Sequence, residues 1–240
     1  MALPKRDWLD MTWQDIAGAA TARWIAVLPL AAVEQHGPHR RNASAFRPST
    51  LPIRERLASR LRPRSPRGLS LARASRAGLR KLVLVTSHGG NVAAMELVAR
   101  DLRARHAMLA VTVGWHRFGY PDGAFSSEER KHGIHAGDIE TSLMLAAMPN
   151  TVRMDKAARA TPETIAMAQE FRWLGAYRPA GFAWMTQDLN PTGAVGDATL
   201  AKAEKGKAAL AQGAQAFVEL LREIDRFDLS RLRDGPLASK

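Results

Sequence analysis

The 240-residue sequence predicts an α/β fold built on a mainly parallel sheet. Residues 24–30 form an apolar run of strand length, and residues 81–86 form a second one. A glycine-rich turn follows, then an amphipathic helical pattern over 92–106 and a third apolar run over 108–113. Strand, turn, helix and strand in this order are typical of a βαβ unit, whose two strands are parallel.

The remaining patterns are mostly helical. Helices are predicted over residues 7–20 (capped by Asp7 or Asp10), 138–148, 162–173 and 198–224. A loop is predicted over residues 115–134 and a frayed end over 229–240, while residues 180–197 are rich in Gly, Pro and Asn. We expect one domain over residues 1–230 and a C-terminal tail over 231–240.

Composition restricts the compartment and the chemistry. The chain has no cysteine, so thiolate metal sites and disulfides are excluded and a cytoplasmic location is expected. The N-terminus has no apolar stretch after its first charges, which is unlike a signal peptide. No apolar run reaches membrane-spanning length, so no membrane partner is expected.

The net charge of +12 is confined to one segment. Residues 40–81 hold thirteen Arg or Lys and a single acid, Glu55, whereas the rest of the chain is balanced. Within it, residues 40–75 are rich in Arg, Pro and Ser and lack periodicity, so they bury little apolar surface. Binding of an anionic polymer through 40–81 is one alternative function. Nucleic acid is not an expected partner, because aromatic residues other than Phe46 and a reading motif are missing.

Metal-type side chains follow the first two predicted strands. Glu34 and His36 are two residues apart, so in an extended chain they face the same side, and Gly37-Pro38 then turns the chain. His88 follows the second strand. Because ligands bind beyond the carboxyl ends of parallel strands, we expect these three side chains to converge on Zn²⁺, Mn²⁺ or Fe²⁺. The alternative is a polar turn whose histidines bond to backbone.

Two further motifs carry candidate residues. Gly89 and Gly90 would let the backbone turn tightly beside an ion, and Asn91 could cap the next helix or contact substrate. His135 precedes the predicted helix over 138–148, and Glu140 lies in its first turns. They could be a loop histidine and a helix-stabilising acid. In a site with a bound ion, an imidazole could instead move a proton onto a departing nitrogen.

Four motifs, in order, resemble those of the creatininase (creatinine amidohydrolase-like) family. They are Glu34-Gln35-His36-Gly37-Pro38-His39, Ser87-His88-Gly89-Gly90-Asn91, His135-Ala136-Gly137-Asp138-Ile139-Glu140-Thr141-Ser142 and Gly193-Ala194-Val195-Gly196-Asp197-Ala198-Thr199. The resemblance covers roughly residues 1–39 and 75–230. It implies a three-layer α/β/α fold, a divalent-metal centre, hydrolysis of cyclic or linear amide C–N bonds and a homo-oligomer, often a hexamer.

Carried over by position, the resemblance implies roles for single residues. The implied metal ligands are Glu34, His36, His88 and Glu140. His135 resembles the catalytic histidine of the family, and Glu140 matches an acidic position that is expected to serve the metal or the catalytic group. The expected substrate contacts are Gly89, Asn91 and His132.

The chain departs from the family pattern at three places. An acidic ligand of creatininase is replaced by Gly90, and a Trp-Asp pair is replaced by Lys131 and His132. Creatinine is therefore not the expected substrate. The Asp that bridges two metals in the family is replaced by Ala45.

Two cations without a shared anion repel each other, so we expect at most one tightly held ion and weak or absent activity. A non-catalytic oligomer with a vestigial site is the alternative. We interpret the Arg/Pro/Ser-rich 40–73 segment as replaced sequence, of the kind that GC-rich DNA gives when it is read out of frame.

Overall fold

The computed structural model describes residues 10–17, 23–30, 36–39, 75, 77–177 and 179–233. The chain divides into two compact units: the first lies within residues 1–32, 49–117 and 217–240, and the second within 33–48 and 118–216. The single domain over 1–230 stays a prediction. Among the helices of these described ranges, none has the length and apolar character needed to cross a membrane.

The first unit contains a parallel sheet with its helices. Its elements are α1 (Trp13–Ala17), β1 (Ile25–Leu30), β2 (Lys81–Thr86), α2 (Val92–His106) and β3 (Leu109–Gly114). The strand order is β1-β2-β3, and both pairings are parallel. The predicted βαβ unit and the parallel sheet are confirmed, and each of the three strands begins within one residue of its predicted start.

The central strand β2 is buried along its whole length, because both of its faces are covered. On one face, Leu82 and Leu84 pack with Met95 and Leu102 of α2. On the other, Val83 and Val85 pack with Ile224 of the last helix. Successive side chains of a strand point to opposite faces, which explains why this run is apolar without alternation.

The second unit is mainly helical. Its elements are α3 (Ser127–His132), α4 (Asp138–Ala147), β4 (Arg159–Ala160), α5 (Glu163–Glu170), β5 (Leu174–Gly175), β6 (Ala180–Gly181), α6 (Thr186–Leu189) and β7 (Gly196–Asp197). Strands β4 and β7 pair antiparallel, and β5 pairs with β6. The last helix, α7 (Ala203–Arg226), contributes residues to both units.

Three predictions about local structure were wrong. The expected loop over 115–134 contains α3, whose polar sequence has no apolar period and which begins at the capping hydroxyl of Ser126. Helix α7 begins at residue 203, because Asp197 caps a separate 3-10 turn over Ala198–Leu200. The cap of α1 is Thr12, which exchanges hydrogen bonds with Asp15, and not Asp10, while Asp7 lies outside the described residues. Of the atypical Arg/Pro/Ser-rich segment over 40–75, residues 40–74 lie outside the described residues.

Helices α4 and α7 make close contact within the second unit at Gly206. A Cβ at this glycine would collide with the backbone carbonyl of Ser142 and would lie 2.9 Å from the Cβ of Ala146. The absence of a side chain at residue 206 therefore sets the distance between the two helices.

We expect Gly206→Ala to lower the free energy of unfolding by about 2 kcal/mol, because the methyl group must push the helices apart. Helix propensity alone would make the same change stabilising by about 1 kcal/mol. Ala208→Gly at an exposed position of α7 is the matched control and should cost about 1 kcal/mol. Urea denaturation of both variants measures this, and a stabilised Gly206→Ala protein would contradict the close contact.

Candidate active site

Two imidazoles and one carboxylate meet within the second unit. His36, His135 and Glu140, here called the site trio, each offer one ligand atom, and these atoms lie within 4.8 Å of one another. Glu140 Oε2 is 3.3 Å from His36 Nε2 and 3.8 Å from His135 Nδ1. The two rings stack with centroids 4.1 Å apart. Of the predicted site residues, the structure brings these three together.

His36 is held by the turn that follows it. Gly37 has φ +65°, a left-handed conformation that glycine adopts without strain, and a Cβ there would lie 3.2 Å from the Cβ of Ala194. The carbonyl of His39 accepts a hydrogen bond from the backbone of Arg153, and the Arg153 guanidinium donates to the carbonyl of Pro38. The Gly-Pro turn is therefore fixed from both sides.

The second imidazole of this turn has a structural role. His39 is buried, and its Nε2 lies 3.2 Å from the hydroxyl of Thr141, which donates its single proton to the carbonyl of Ala136. Because that hydroxyl proton is already used, His39 Nε2 must be the donor to Thr141. This chain of hydrogen bonds joins the His36 turn to the segment that carries His135.

His135 lies in a short antiparallel bridge. The His135 N–H donates to the Val195 carbonyl at 3.1 Å, and the Val195 N–H donates to the His135 carbonyl at 2.6 Å. Ala136, which comes next, is fully buried and has φ +56°, and Gly137 is then the N-cap residue of α4. A non-glycine residue with positive φ is uncommon, so the sharp turn between bridge and helix is imposed by its surroundings.

Glu140 lies in the first turn of α4, and its side chain points back along the chain. Its Oε2 accepts a hydrogen bond of 2.9 Å from the backbone N–H of Ala136. Burial alone would raise the pKa of Glu140, but the hydrogen bond and charge of His36, the charge of His135 and the Ala136 N–H together lower it to about 2. The carboxylate is therefore ionised throughout the neutral range and stabilises positive charge beside it.

Within the site trio, the spacing of His36 and Glu140 suits two ligands of a small divalent cation. Four-coordinate Zn²⁺ with bonds of about 2.0–2.1 Å places neighbouring ligand atoms roughly 3.3–3.4 Å apart. The separation of Glu140 Oε2 from His36 Nε2 is of this size, and that from His135 Nδ1 is slightly larger. The side chain of Glu140 is one-third exposed, so the cluster has an open side where a water or substrate atom could enter.

Three other predicted residues lie in the first unit. His88 follows β2, and its backbone N–H bonds to the hydroxyl of Thr86. Gly89 is exposed. Asn91 stands immediately before α2, but its side chain makes no capping bond; it is buried and donates to the Thr86 hydroxyl. The expected cap is thus replaced by a bond that closes the β2–α2 turn.

Two more expected residues can be placed. His132 ends α3, where its Nδ1 lies 3.0 Å from the hydroxyl of Thr164, and burial together with the charge of Lys131 lowers its pKa. Glu34 lies outside the described residues. The metal-binding roles of Glu34 and His88 and the substrate contacts of Gly89, Asn91 and His132 remain predictions.

Sequence reasoning missed two buried carboxylates around the site trio. Asp138 was expected only to favour the start of α4, but it forms a 2.6 Å ion pair with Lys205 and accepts a bond from Ser142. Glu129 lies in the predicted loop and accepts the backbone N–H of Ile139. Neither burial has a sequence signal, because Glu129 bonds to a backbone N–H and Lys205 is 67 residues away from Asp138 along the chain.

The parallel sheet with its helices makes this an α/β protein, and the cluster of two histidines and one carboxylate is its candidate metal centre. The profile of the family described as creatinine amidohydrolase matches residues 70–221. The chain belongs to this creatininase family, as its motifs predicted.

The proteins similar to this chain include a peptide peptidase and a creatinine amidohydrolase. The mycofactocin precursor peptide peptidase of Mycobacterium ulcerans (strain Agy99) is 31% identical over 132 residues, which are 55% of this chain and 44% of that protein. The match thus spans less than half of the peptidase. The creatinine amidohydrolase of Pseudomonas putida is 26% identical over 262 residues, covering 89% of this chain and 95% of that enzyme.

Solved structures support the fold. A manganese creatininase and a mutant creatininase of Zn–Zn type each cover 92% of this chain and 98% of their own, with TM-scores of 0.59 and 0.60 and identities of 20% and 22%. At these identities the likeness concerns the fold, and it agrees with the predicted α/β architecture.

Tyr120 offers a test of the charges around the site. Its ring packs edge-on against Phe125, and burial, followed by the charges of Glu140 and Glu129, raises its pKa to about 12. The folded pKa thus lies above the unfolded value of 10.0. The neutral phenol stabilises the fold fully below pH 10, and this stabilisation is lost as the pH rises towards 12.

The chain has only two tyrosines, and Tyr177 is 57% exposed. In the Tyr177→Phe variant we expect tyrosinate absorbance to appear about two pH units above 10, because Tyr120 is then the remaining tyrosine. Circular dichroism over the same range shows whether the protein is still folded. A folded Tyr177→Phe protein that titrates near 10 would contradict the buried, acid-flanked phenol.

Proposed function

We propose that the chain is a metal-dependent amidohydrolase that cleaves a cyclic or linear amide C–N bond. The observation that carries this proposal is the meeting of His36, His135 and Glu140 from three separate sequence positions within 4.8 Å. Membership of the creatininase family and the amide hydrolases among the similar proteins support it.

The metal assignment follows the donor set. In the proposal His36 and Glu140 hold a divalent cation, Zn²⁺ or else Mn²⁺ or Fe²⁺, with Glu34 and His88 as the further ligands that the motifs imply. When bound, such an ion lowers the pKa of a water and polarises an amide carbonyl. Ala45 stands where the family has its bridging Asp, so we propose one tightly held ion per chain.

His135 is the proposed proton carrier. Its Nδ1 faces Glu140, so the imidazole is oriented by a carboxylate, as a general acid–base requires. The opposite ring nitrogen, Nε2, would then deliver the proton to the departing amine. Glu140 stays ionised and stabilises the imidazolium form, while the Ala136 N–H keeps the carboxylate in place.

The substrate is proposed only as a class. Short peptides and small amides fit the two kinds of similar protein, a peptide peptidase and a creatinine amidohydrolase. Gly90, Lys131 and His132 replace residues that creatininase uses, so we do not expect creatinine to be the preferred substrate.

Metal content and amide hydrolysis test the proposal together. We expect about one Zn²⁺ or Mn²⁺ per chain by elemental analysis, and slow amine release from short peptides or formamides. His135→Ala should lower turnover about 100-fold with the ion retained, because it removes the proton carrier. Glu140→Gln should lower both turnover and metal affinity about 10- to 100-fold, because it removes the carboxylate beside both imidazoles.

His106→Ala, which lies at the end of α2 in the first unit, is the matched control and should change neither quantity. A folded wild-type protein with neither metal nor turnover would favour the non-catalytic alternative. Two tightly bound ions together with rapid turnover would overturn the single-ion proposal.

A further inference from the structure

We propose that Glu129 is a positioning residue: its buried carboxylate clamps the segment between α3 and α4 so that His135 and Glu140 keep one shared geometry. The clamp itself is a structural inference, and its catalytic consequence rests on the proposed function. The contacts of Glu129, the glycines around it and the unusual start of α4 carry the argument.

The carboxylate of Glu129 joins three elements of the second unit. Glu129 belongs to α3 and is 6% exposed. Its Oε1 accepts the backbone N–H of Ile139 in the first turn of α4, at 3.0 Å. Its Oε2 lies against Gly196 of β7, where a Cβ would come within 3.0 Å of it, and the backbone of Asp197 helps to lower its pKa. One side chain thus ties α3 to the helix that carries Glu140 and to the strand beside the His135 bridge.

Three glycines surround this carboxylate and leave no room for side chains. A Cβ at Gly137 would lie 2.5 Å from Oε1 of Glu129, and one at Gly196 would lie 3.0 Å from its Oε2. A Cβ at Gly133 would collide with its carboxyl carbon. Gly133 and Gly137 flank His135, so the backbone on both sides of the imidazole rests against Glu129.

Helix α4 needs an external cap, because its own first residues do not supply one. Gly137 at the cap position has no side chain, and Asp138 is bonded to Lys205 and Ser142 instead. The first N–H groups of a helix have no partner within the helix, and they favour negative charge. Glu129 supplies both the acceptor and the charge from another element.

The electrostatic cost of this arrangement argues for a specific role. Burial raises the pKa of Glu129, and the charge of Asp138 adds to this, while the Ile139 N–H opposes it. An apolar side chain would avoid the desolvation of a carboxylate but could not accept the Ile139 N–H. A residue that only filled space would therefore not need to be an acid.

The central test compares Glu129→Gln with Glu128→Gln in the metal-free protein. Glutamine keeps the shape but not the negative charge, and an NH₂ group replaces one of the two carboxylate oxygens that lie against the Ile139 N–H and Gly196. Glu128 is the neighbouring acid on α3; it is exposed and paired with Arg159 at 3.1 Å. Both variants remove one negative charge from the same short helix.

We expect Glu129→Gln to shift the imidazole NMR signals of His36 and His135, which stack on each other, while the protein stays folded by circular dichroism. Glu128→Gln should leave these signals unchanged. With an amide that the wild type hydrolyses, kcat of Glu129→Gln should fall about 10- to 100-fold while KM changes less than about twofold, because a positioning residue acts through His135. Unchanged imidazole signals in folded Glu129→Gln would overturn the clamp.

A second variant tests the same contact from the opposite side. The three nearest neighbours of a Cβ at Gly137 are atoms of the Glu129 carboxyl group, and Gly137 has a φ of −83°, which other residues also adopt. Gly137→Ala should therefore shift the same imidazole signals, and the shift should be smaller when Glu129→Ala makes room for the methyl group. Equal effects in both backgrounds would contradict the contact.

A measurement on the unaltered protein covers the case in which the variants do not fold. The Ile139 amide should exchange with solvent slowly, although it lies in the first turn of a helix where such groups normally lack partners. Rapid exchange would overturn the proposal. Because the imidazole signals and amide exchange need neither metal nor substrate, these tests stand even if no hydrolase activity is found.

Discussion

Everything proposed for this chain depends on a carboxylate oxygen that several donors share. Glu140 Oε2 accepts the Ala136 N–H and faces one nitrogen from each of two imidazoles. The first contact is local and fixes the carboxylate relative to its own helix. The other two bring in His36 and His135, so the site exists only when the turn after His36 and the start of α4 are both in place. The packing of these two segments therefore decides whether Glu140 Oε2 lies beside both imidazoles.

The surroundings of this oxygen explain how three acids can lie close together. Glu129, Asp138 and Glu140 would repel one another if they faced the same space. Each instead has a different kind of partner. Glu129 accepts a backbone N–H, Asp138 pairs with the Lys205 ammonium, and Glu140 faces the imidazoles. Because each carboxylate has its own partner, their mutual repulsion is reduced. This division leaves one carboxylate of the three for metal binding or proton transfer.

The sequence predicted what is encoded in apolar runs and in local motifs. Strands β1 to β3 and helix α2 follow from their hydrophobic periods, and the histidine–carboxylate pair of the His135 motif follows from its resemblance to a family. Helix α3 could not be predicted in this way, because its six residues are polar and its stability comes from the Ser126 cap and from the burial of Glu129. Likewise, Asn91 occupies the predicted cap position, but tertiary packing supplies a better partner in Thr86.

The replacement of an acidic family ligand by Gly90 has a consequence beyond the loss of one donor. A Cβ at residue 90 would lie 2.6 Å from His88 Nε2, so the ring of His88 occupies the space that a side chain there would need. An imidazole in this orientation and an acidic residue at position 90 are therefore mutually exclusive. Together with Ala45 at the bridging position, the glycine removes negative charge that a pair of cations would require. Both departures remove a carboxylate that a pair of cations would share, which is the reason for proposing one ion per chain.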